Sequence, residues 1–343
     1  MSSAGSSEAA ERLVADLIRG AWRTLTARAM AELRLADALV EPATLEEVAS
    51  STGTHAPTLD RLLRTLTALG LLTHEDGCFR VTEAGARLRS DVPGSDWGAM
   101  MMMPAPWTLE TWQRLPQAVR TGQPVFEDVH GMSFWEHLRT HEEVGRTFDA
   151  AMARGAKDEE PAALVARELE RSGASVLVDA GGGTGRLLAQ VVAAVPHLNG
   201  VLADRAEPVA GSAAVFAEHR VEDRCRAEVS DFFVSVPQGD AFLLSNILHD
   251  WDDEQCAAIL ERVHRACAPG GSVIVLESVL PDESDGIGPE SAQLRLLDLM
   301  MLLSFGARER TLGEYSALLS RAGFVDVRLV PGRSRQLVLA SRP

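Results

Sequence analysis

A histidine stands where an apolar stretch of the sequence ends. The segment DAFLLSNIL (240–248) predicts a buried strand, and His249 follows it directly, with acidic residues behind it. An imidazole has an ordinary pKa of about 6.5, so it can accept a proton near neutral pH. His249 is therefore a candidate general base, and a structural histidine is the alternative interpretation.

Two glutamates could orient such a base. Glu277 lies inside the otherwise apolar segment VIVLESVL, where a carboxylate is costly unless it has a partner. Glu309 lies in the loop ARERT, before the last predicted helix. A carboxylate beside a histidine fixes its tautomer and stabilises the imidazolium that forms. A structural role, in an ion pair or a helix cap, is the alternative for both glutamates.

The acids next to the histidine raise the question of a metal site. Asp250, Asp252 and Asp253 follow His249 closely, and carboxylates are common ligands of divalent cations. However, Asp252 and Asp253 directly precede the predicted helix EQCAAILERV, and acids are favourable at a helix N-terminus. We therefore expect these acids to serve the helix, and we expect no bound metal.

A glycine turn precedes these residues in the chain. The segment VDAGGGTG (178–185) leads from a predicted strand into a predicted helix and contains Gly181 and Gly183. Glycines at this point let the backbone approach a ligand. Asp204 ends the next predicted strand, 21 residues after Gly183, where an acid accepts hydrogen bonds from ribose hydroxyls.

A further acid and an aromatic residue follow the third predicted strand. The carboxylate of Asp231 could accept a hydrogen bond from an adenine amine, and Phe232 could cover the purine ring. The glycine turn, the ribose acid and this pair stand at successive strand ends. Together they resemble an S-adenosylmethionine site, with NAD as the alternative.

The elements that must position these residues form an alternating pattern. From residue 161 onward, strands alternate with helices, which predicts a parallel sheet covered by helices. The last two strands, FVDVRLVP and QLVLAS, are joined by the short turn GRSR and predict a terminal antiparallel hairpin. Ligand crevices of such sheets lie at the carboxyl ends of the strands. We therefore expect the candidate residues to meet at one edge of the sheet.

The N-terminal part predicts a winged helix. Thr44 and Glu47 form a capping-box pattern at one short helix, a second helix follows, and Asp76-Gly77 predicts a hairpin turn. Over residues 1–90, twelve acids outnumber ten arginines, and the whole chain carries a net charge of −16. Because nucleic-acid affinity depends on basic side chains, we favour a dimerisation or docking module over DNA binding.

Other features bound the class of protein. No apolar stretch reaches the roughly 20 residues of a membrane helix, and no secretory signal is evident. The four cysteines form no CxxC pair, so we expect neither a zinc site nor disulfides, and a reduced, cytoplasmic setting. The changes of pattern predict three parts: residues 1–95, a helical segment at 96–160, and a catalytic part at 161–343.

The motifs resemble those of the small-molecule O-methyltransferase family, which includes plant caffeic acid O-methyltransferase and bacterial antibiotic-tailoring enzymes. The segments that carry the resemblance are VDAGGGTG (178–185), SDFF (230–233), LHDWDDEQC (248–256), VIVLESVLP (273–281) and RERT (308–311). It covers nearly the whole chain, because the winged helix and TFDAAM (147–152) resemble the family's N-terminal part. It implies an α/β class I methyltransferase domain, Rossmann-like, with a seven-stranded mostly parallel sheet ending in an antiparallel hairpin. A mainly α-helical winged-helix domain would join a homodimer.

The resemblance also assigns roles to residues. It implies methyl transfer from S-adenosylmethionine to a hydroxyl, usually phenolic, of a small aromatic natural product, with His249 as base beside Glu277 and Glu309. The residues expected to hold the cofactor are Asp179, Gly181, Gly183, Asp204, Asp231, Phe232 and Ser245. Met152, by the resemblance alone, and Trp107 are candidates for lining the substrate space.

The chain departs from the family pattern at two cofactor positions. Plant members have a lysine where Ser245 stands, and Asp-Leu-Pro where this chain has Asp204-Arg205-Ala206. Two other functions remain open at this point. One is a relative that kept the cofactor site but assists hydroxylation or decarboxylation, and the other is a ligand-sensing DNA-binding regulator.

Overall fold

The computed structural model describes residues 3–152, 159–282, 287–333 and 335–343. Contacts among them define two units, one with residues 3–113 and 127–152, the other with residues 114–126 and the described residues from 159 onward. The short segment 114–126 thus belongs with the C-terminal unit. The division at residues 95 and 160 remains a prediction.

The N-terminal elements are mainly helices. In chain order they are α1 (Ser3–Glu32), α2 (Leu35–Ala38), β1 (Ala43–Thr44), α3 (Leu45–Thr52), α4 (Ala56–Ala68), β2 (Leu72–Glu75), β3 (Cys78–Val81), α5 (Glu83–Ala86), α6 (Trp97–Met102), α7 (Pro106–Trp112), α8 (Leu115–Thr121), α9 (Phe126–His130), α10 (Phe134–Thr140) and α11 (Glu142–Met152).

The predicted winged helix is present in the first unit. Thr44 and Glu47 form the capping box of α3, and strands β1, β3 and β2 form a small antiparallel sheet in that order. Asp76 and Gly77 both have positive φ, 49° and 78°, as a tight hairpin turn requires. Helix α1 ends at Glu32 and α2 begins at Leu35, because the chain turns at Arg34, which has a left-handed φ of 53°.

The C-terminal elements alternate between strand and helix. They are α12 (Glu160–Ser172), β4 (Val176–Ala180), α13 (Arg186–Ala194), β5 (Asn199–Asp204), α14 (Ala206–Val209), α15 (Ser212–Glu218), β6 (Cys225–Val229), β7 (Gly239–Ser245), α16 (Asp253–Ala266), β8 (Cys267–Glu277), β9 (Val279–Leu280), α17 (Ala292–Phe305), β10 (Arg310–Thr311), α18 (Leu312–Arg321), β11 (Val325–Val330) and β12 (Gln336–Ser341). Single 3₁₀ turns lie at Leu248–Asp250 and Pro289–Ser291.

Seven of these strands form the central sheet. Their order is β11-β12-β8-β7-β4-β5-β6, and the five strands from β8 to β6 are parallel. Strand β12 runs antiparallel to both β8 and β11, which confirms the predicted terminal hairpin. The predicted class I methyltransferase fold is therefore correct.

The sheet is buried on both faces, which explains the apolar strand sequences. Along β7, Ala241 and Leu243 pack with α12 and α13, while Phe242 and Leu244 pack with α16 and α18. In β4, β5 and β7 the polar side chains lie at or next to the strand ends. The four cysteines are free, and three of them are buried. No helix in the described part of the chain is long and apolar enough to span a membrane.

Candidate active site

The glycine turn joins β4 to α13 at the carboxyl edge of the sheet. Gly181 and Gly183 have φ of 79° and 63°, a region that favours glycine. A Cβ on Gly181 would lie 2.4 Å from the Ile247 side chain, whereas a Cβ on Gly183 would meet nothing within 4 Å. The turn is therefore closely packed at Gly181 and open above Gly183. Gly182, which the spacing did not single out, is also required, because its Cβ would lie 2.3 Å from a carboxylate oxygen of Asp179.

Two acids lie under this turn. Asp204, at the end of β5, accepts hydrogen bonds from the backbone N–H groups of Gly183 (2.8 Å) and Arg205 (2.6 Å). Asp179, at the end of β4, is only 1% exposed, and neither of its oxygens has a hydrogen-bond partner among the described residues. Burial, with the nearby charge of Asp204, raises the pKa of Asp179 to about 7. A ligand that brings hydrogen-bond donors to this turn would fit these acids.

The predicted pair Asp231 and Phe232 follows β6, and the Phe232 ring reaches the glycine turn. Asp231 is exposed after β6 and accepts a hydrogen bond from the N–H of Phe233 at 2.9 Å. The Phe232 ring would lie 3.3 Å from a Cβ on Gly181, so this aromatic side chain borders the turn. Trp251 packs edge-on against the rings of Phe232 and Phe233.

Ser245 ends strand β7 beside a positive charge. Its hydroxyl accepts a hydrogen bond of 3.2 Å from the guanidinium of Arg335, which directly precedes β12. A guanidinium from the terminal hairpin therefore lies beside Ser245, the position at which the plant enzymes have a lysine. Sequence reasoning missed Arg335 because no local pattern links a hairpin residue to a strand two places away in the sheet.

His249 lies in the 3₁₀ turn just beyond β7, between two glutamates. Its Nδ1 is 2.7 Å from Oε1 of Glu309 and 3.6 Å from Oε2 of Glu277. Glu277 ends strand β8, which neighbours β7, and its Oε1 accepts hydrogen bonds from the N–H groups of Ile247 (3.0 Å) and Leu248 (2.9 Å). Glu309 precedes β10, which pairs with β9 directly after Glu277. Sheet register therefore brings the three predicted residues together.

These three side chains are strongly coupled. Both glutamate side chains are fully buried, and His249 is largely buried. Burial alone would lower the pKa of His249, but the charge of Glu277, the hydrogen bond to Glu309 and the charge of Asp250 together raise it to about 10. Burial raises the pKa of Glu277, and His249 only partly opposes this. The 2.7 Å contact between Nδ1 of His249 and Oε1 of Glu309 is the shortest link in this group.

Asp250 is a site residue that the sequence prediction did not include. Its Oδ1 is 3.5 Å from Nε2 of His249, on the side away from the glutamates. Burial raises the pKa of Asp250 to about 7, and the charge of His249 partly opposes this. Its position directly after the histidine was a usable signal, but it was considered only as a metal ligand.

The other two acids of this segment serve the following helix, as predicted. Asp252 is the N-cap of α16 and forms a capping box with Gln255. Asp253 lies in the first turn of α16 and accepts hydrogen bonds from Arg308 and Arg310. Neither acid forms a hydrogen bond or ion pair with His249 among the described residues, so both serve the helix rather than the base.

A metal at the histidine is geometrically conceivable. Within the described residues, one ligand atom each from His249, Glu277 and Glu309 lies within 4.8 Å of the others. The 2.7 Å separation of Nδ1 from Glu309 is that of a charge-assisted hydrogen bond, and it is shorter than two ligands about 2 Å from one ion would normally adopt. The geometry favours a proton at this position, and the absence of a metal stays a prediction.

The two candidate substrate residues belong to the first unit. Met152 ends α11 and is 55% exposed, while Trp107 packs against the rings of Phe134 and His137. Their roles remain predictions.

Comparison with known proteins identifies the family. A family profile described as an O-methyltransferase domain matches residues 112–325, and one described as an O-methyltransferase dimerisation domain matches residues 15–91. The phenazine O-methyltransferase PhzM of Lysobacter antibioticus is 34% identical over 334 residues, which cover 96% of each chain.

Solved structures agree. The mitomycin 7-O-methyltransferase MmcR superposes with a TM-score of 0.88 at 31% identity, covering 99% of this chain and 100% of that one. An O-methyltransferase from neocarzinostatin biosynthesis, in complex with S-adenosylhomocysteine and 1,4-dihydroxy-2-naphthoic acid, has a TM-score of 0.77 at 33% identity and covers 94% of this chain and 96% of that one. The chain therefore belongs to the O-methyltransferase family and is an S-adenosylmethionine-dependent O-methyltransferase.

Proposed function

We propose that this enzyme methylates a phenolic hydroxyl of a small aromatic natural product, with His249 as general base. The acceptor class is supported by the relatives, since one is named for a phenazine and another binds a dihydroxynaphthoic acid. The role of His249 is supported by its position at the carboxyl edge of the sheet, where ligands of such folds bind.

The residues at the glycine turn fit the methyl donor. Gly181 and Gly183 allow close approach to the turn, and Asp204 at the end of β5 can accept from ribose hydroxyls. Phe232 borders the turn, Asp231 follows β6, and Ser245 ends β7. Asp179 contributes two buried acceptor oxygens that no described residue satisfies. When bound, S-adenosylmethionine would supply a methyl carbon on its sulfonium: an oxygen nucleophile would form the O–CH3 bond as the C–S bond breaks, and S-adenosylhomocysteine would leave.

The hydrogen bond from His249 to Glu309 carries the assignment of the base. An ionised carboxylate can only accept, so at 2.7 Å the proton of this bond must come from Nδ1. In the neutral imidazole, Nε2 then has a free lone pair. This nitrogen is on the side away from the glutamates and can take the proton of a phenol, whose ordinary pKa is about 10.

The glutamates would also stabilise the product of that proton transfer. Once Nε2 is protonated, the imidazolium lies between the buried carboxylates of Glu277 and Glu309. The raised pKa of His249, about 10, expresses this stabilisation and is close to that of a phenol. The raised pKa makes the imidazole a stronger proton acceptor, and only its unprotonated form can act as the base.

Replacement of His249 tests this function. With 1,4-dihydroxy-2-naphthoic acid, caffeic acid and 3-amino-4-hydroxybenzoate as acceptors, H249A should lower turnover by roughly 10²–10⁴-fold. Calorimetry should find the affinity for S-adenosylhomocysteine unchanged within about threefold, because the cofactor residues are untouched. Near-normal turnover in H249A contradicts the base assignment, and a wild-type enzyme that methylates none of the three phenols contradicts the acceptor class.

A further inference from the structure

Arg310 is a fully buried arginine next to the catalytic glutamate. It is 0% exposed and lies in β10, where it pairs with Val279 of β9. A buried guanidinium is strongly destabilising unless its N–H groups are all directed at acceptors. The partners of this side chain therefore indicate what it does.

The guanidinium binds the backbone of the turn that carries the base. Its NH1 donates to the carbonyl of Leu248 and its NH2 to the carbonyl of Trp251, both at 2.8 Å. These carbonyls lie immediately before His249 and immediately after Asp250. The fork thus holds both ends of the catalytic dipeptide.

The remaining contacts fix the guanidinium itself. Nε and NH2 donate to the same oxygen of Asp253 at 3.1 and 2.8 Å, at the start of α16. NH1 is also 3.4 Å from the carbonyl of Arg308. Asp253 and the Arg308 carbonyl therefore fix the plane and position of the guanidinium in addition to the two carbonyls of the turn.

Two consecutive residues thus hold the base by different means. Glu309 binds the imidazole of His249 through Nδ1, and Arg310 binds the backbone on either side of the His249–Asp250 pair. We propose that Arg310 is a positioning residue that fixes the His249 turn, so that Nε2 keeps its direction toward the acceptor. The proposal rests on the proposed function, because it requires His249 to be the base.

A lysine cannot perform this role. A guanidinium reaches two carbonyls and a carboxylate at once because its donors form a rigid planar fork, whereas an ammonium is a single compact charge. Displacing a catalytic group by about 1 Å can cost roughly 10²-fold in rate. R310K keeps the charge and loses the fork, so it separates positioning from electrostatics.

The experiment compares R310K, R310A, D253N and H249A, each first checked for folding by circular dichroism. With the three phenols named above, we expect R310K and R310A to lower kcat by roughly 10²-fold, while the Kd for S-adenosylhomocysteine stays within about threefold. Guanidinium ion should restore at least about tenfold to R310A and nothing to R310K. D253N removes the negative charge but keeps a side-chain oxygen that can accept from Nε and NH2, so it should stay within about fivefold of wild type.

The double variant R310K/H249A tests whether Arg310 acts through the histidine. If it does, the double variant is no slower than H249A alone, because the two changes disable one unit. A second readout needs no acceptor: the imidazole ¹⁵N resonances of His249, assigned by their loss in H249Q, should titrate at lower pH in R310K because the bond to Glu309 is loosened.

Three outcomes overturn the proposal. They are near-normal kcat together with an unchanged His249 titration in R310K, multiplicative losses in the double variant, and a loss in R310A that guanidinium does not reverse although the protein is folded. Failure of the proposed function looks different, since H249A itself would then turn over normally. If R310A does not fold, R310K and the double variant still decide the question.

Discussion

At the scale of single residues, the site contains acids that the fold alone does not satisfy. Asp179 has no hydrogen-bond partner for either oxygen among the described residues, and Glu277 and Glu309 each have one oxygen without such a partner. Buried acceptors of this kind cost stability. This cost is offset only when a ligand or a proton occupies the site. Replacing one of these acids should therefore raise the stability of the protein and lower its function, an exchange of one for the other.

Asp179 gives the first prediction of that exchange. Its pKa in the folded protein, about 7, is above its unfolded value of about 4, so its contribution to stability is present below pH 4 and is lost as pH rises to 7. D179N does not titrate. Relative to wild type, the cofactor-free variant should therefore gain roughly 2–4 kcal/mol of unfolding free energy between pH 4 and pH 8.

Denaturant unfolding at several pH values measures this change. The matched control is D231N, since Asp231 is an exposed acid at the same edge of the sheet. An equal stability difference between D179N and wild type at all pH values contradicts the explanation. D179N should also bind S-adenosylhomocysteine more weakly, because one of the two buried acceptor oxygens is replaced by an NH2 donor.

The base gives a second prediction, on the pH dependence of turnover. Because the pKa of His249 is raised to about 10 and the unprotonated form is the active one, kcat should rise with pH well into the alkaline range. In E309Q the pKa of His249 falls, so the rising limb should move to lower pH. The limiting rate should fall roughly 10–10³-fold because the tautomer is no longer fixed.

A pH–rate profile under saturating substrates measures both effects. E254Q is the matched control, since Glu254 pairs with Arg321 outside the site. A rising limb near pH 6.5 in wild type, or one that E309Q leaves in place, contradicts the coupling of His249 to Glu309.

At the scale of elements, local sequence predicted the strands but not every contact between them. The glycine turn, the capping boxes at Thr44 and Asp252 and the terminal hairpin follow from neighbouring residues. The pairing of β9 with β10 joins Val279 to Arg310, which are far apart in sequence, and no local pattern encodes it. Glu309 was predicted from the family resemblance. Arg310 was not, because nothing in the sequence distinguishes a buried arginine from an exposed one.

The terminal hairpin gives a prediction at this scale. Arg335 brings a guanidinium to Ser245, and the methionine portion of the cofactor carries a carboxylate that such a cation would bind. R335Q should raise the Kd for S-adenosylhomocysteine about 5–50-fold. The Kd for 5′-methylthioadenosine, which lacks the carboxylate, should hardly change.

Calorimetry with both ligands measures this difference. R333Q is the matched control, because Arg333 lies in the same hairpin and pairs with Glu160. Equal weakening of both ligands in R335Q contradicts a contact with the carboxylate, as does equal behaviour of the two arginine variants.

At the scale of the whole molecule, the first helix exposes an apolar surface. Helix α1 has large side chains in solvent at helical spacing, including Leu17 at 73% and Trp22 at 70% exposure, with Leu13 and Ile18 beside them. The dimerisation profile matches residues 15–91, which include most of this helix. We expect α1 to pack against a second copy of the chain.

Introducing negative charge on this apolar surface tests the homodimer. L17E/W22E should convert a dimer into a monomer in light scattering with size-exclusion chromatography, because burying two carboxylates opposes association. R19E, an exposed change on the same helix, should leave the dimer intact. A dimer that survives L17E/W22E assigns the interface elsewhere.

Because His249 is far in sequence from Glu277 and Glu309, the parts of the site should form in a defined order during folding. The glycine turn and its acids lie between positions 179 and 232, within neighbouring parallel strands. His249 acquires Glu309 only after β10 is made and paired, and β12, which flanks Glu277, is made later than β10. Contacts distant in sequence form late in folding. A newly made or refolding chain should therefore acquire affinity for the methyl donor before it acquires the ability to use it.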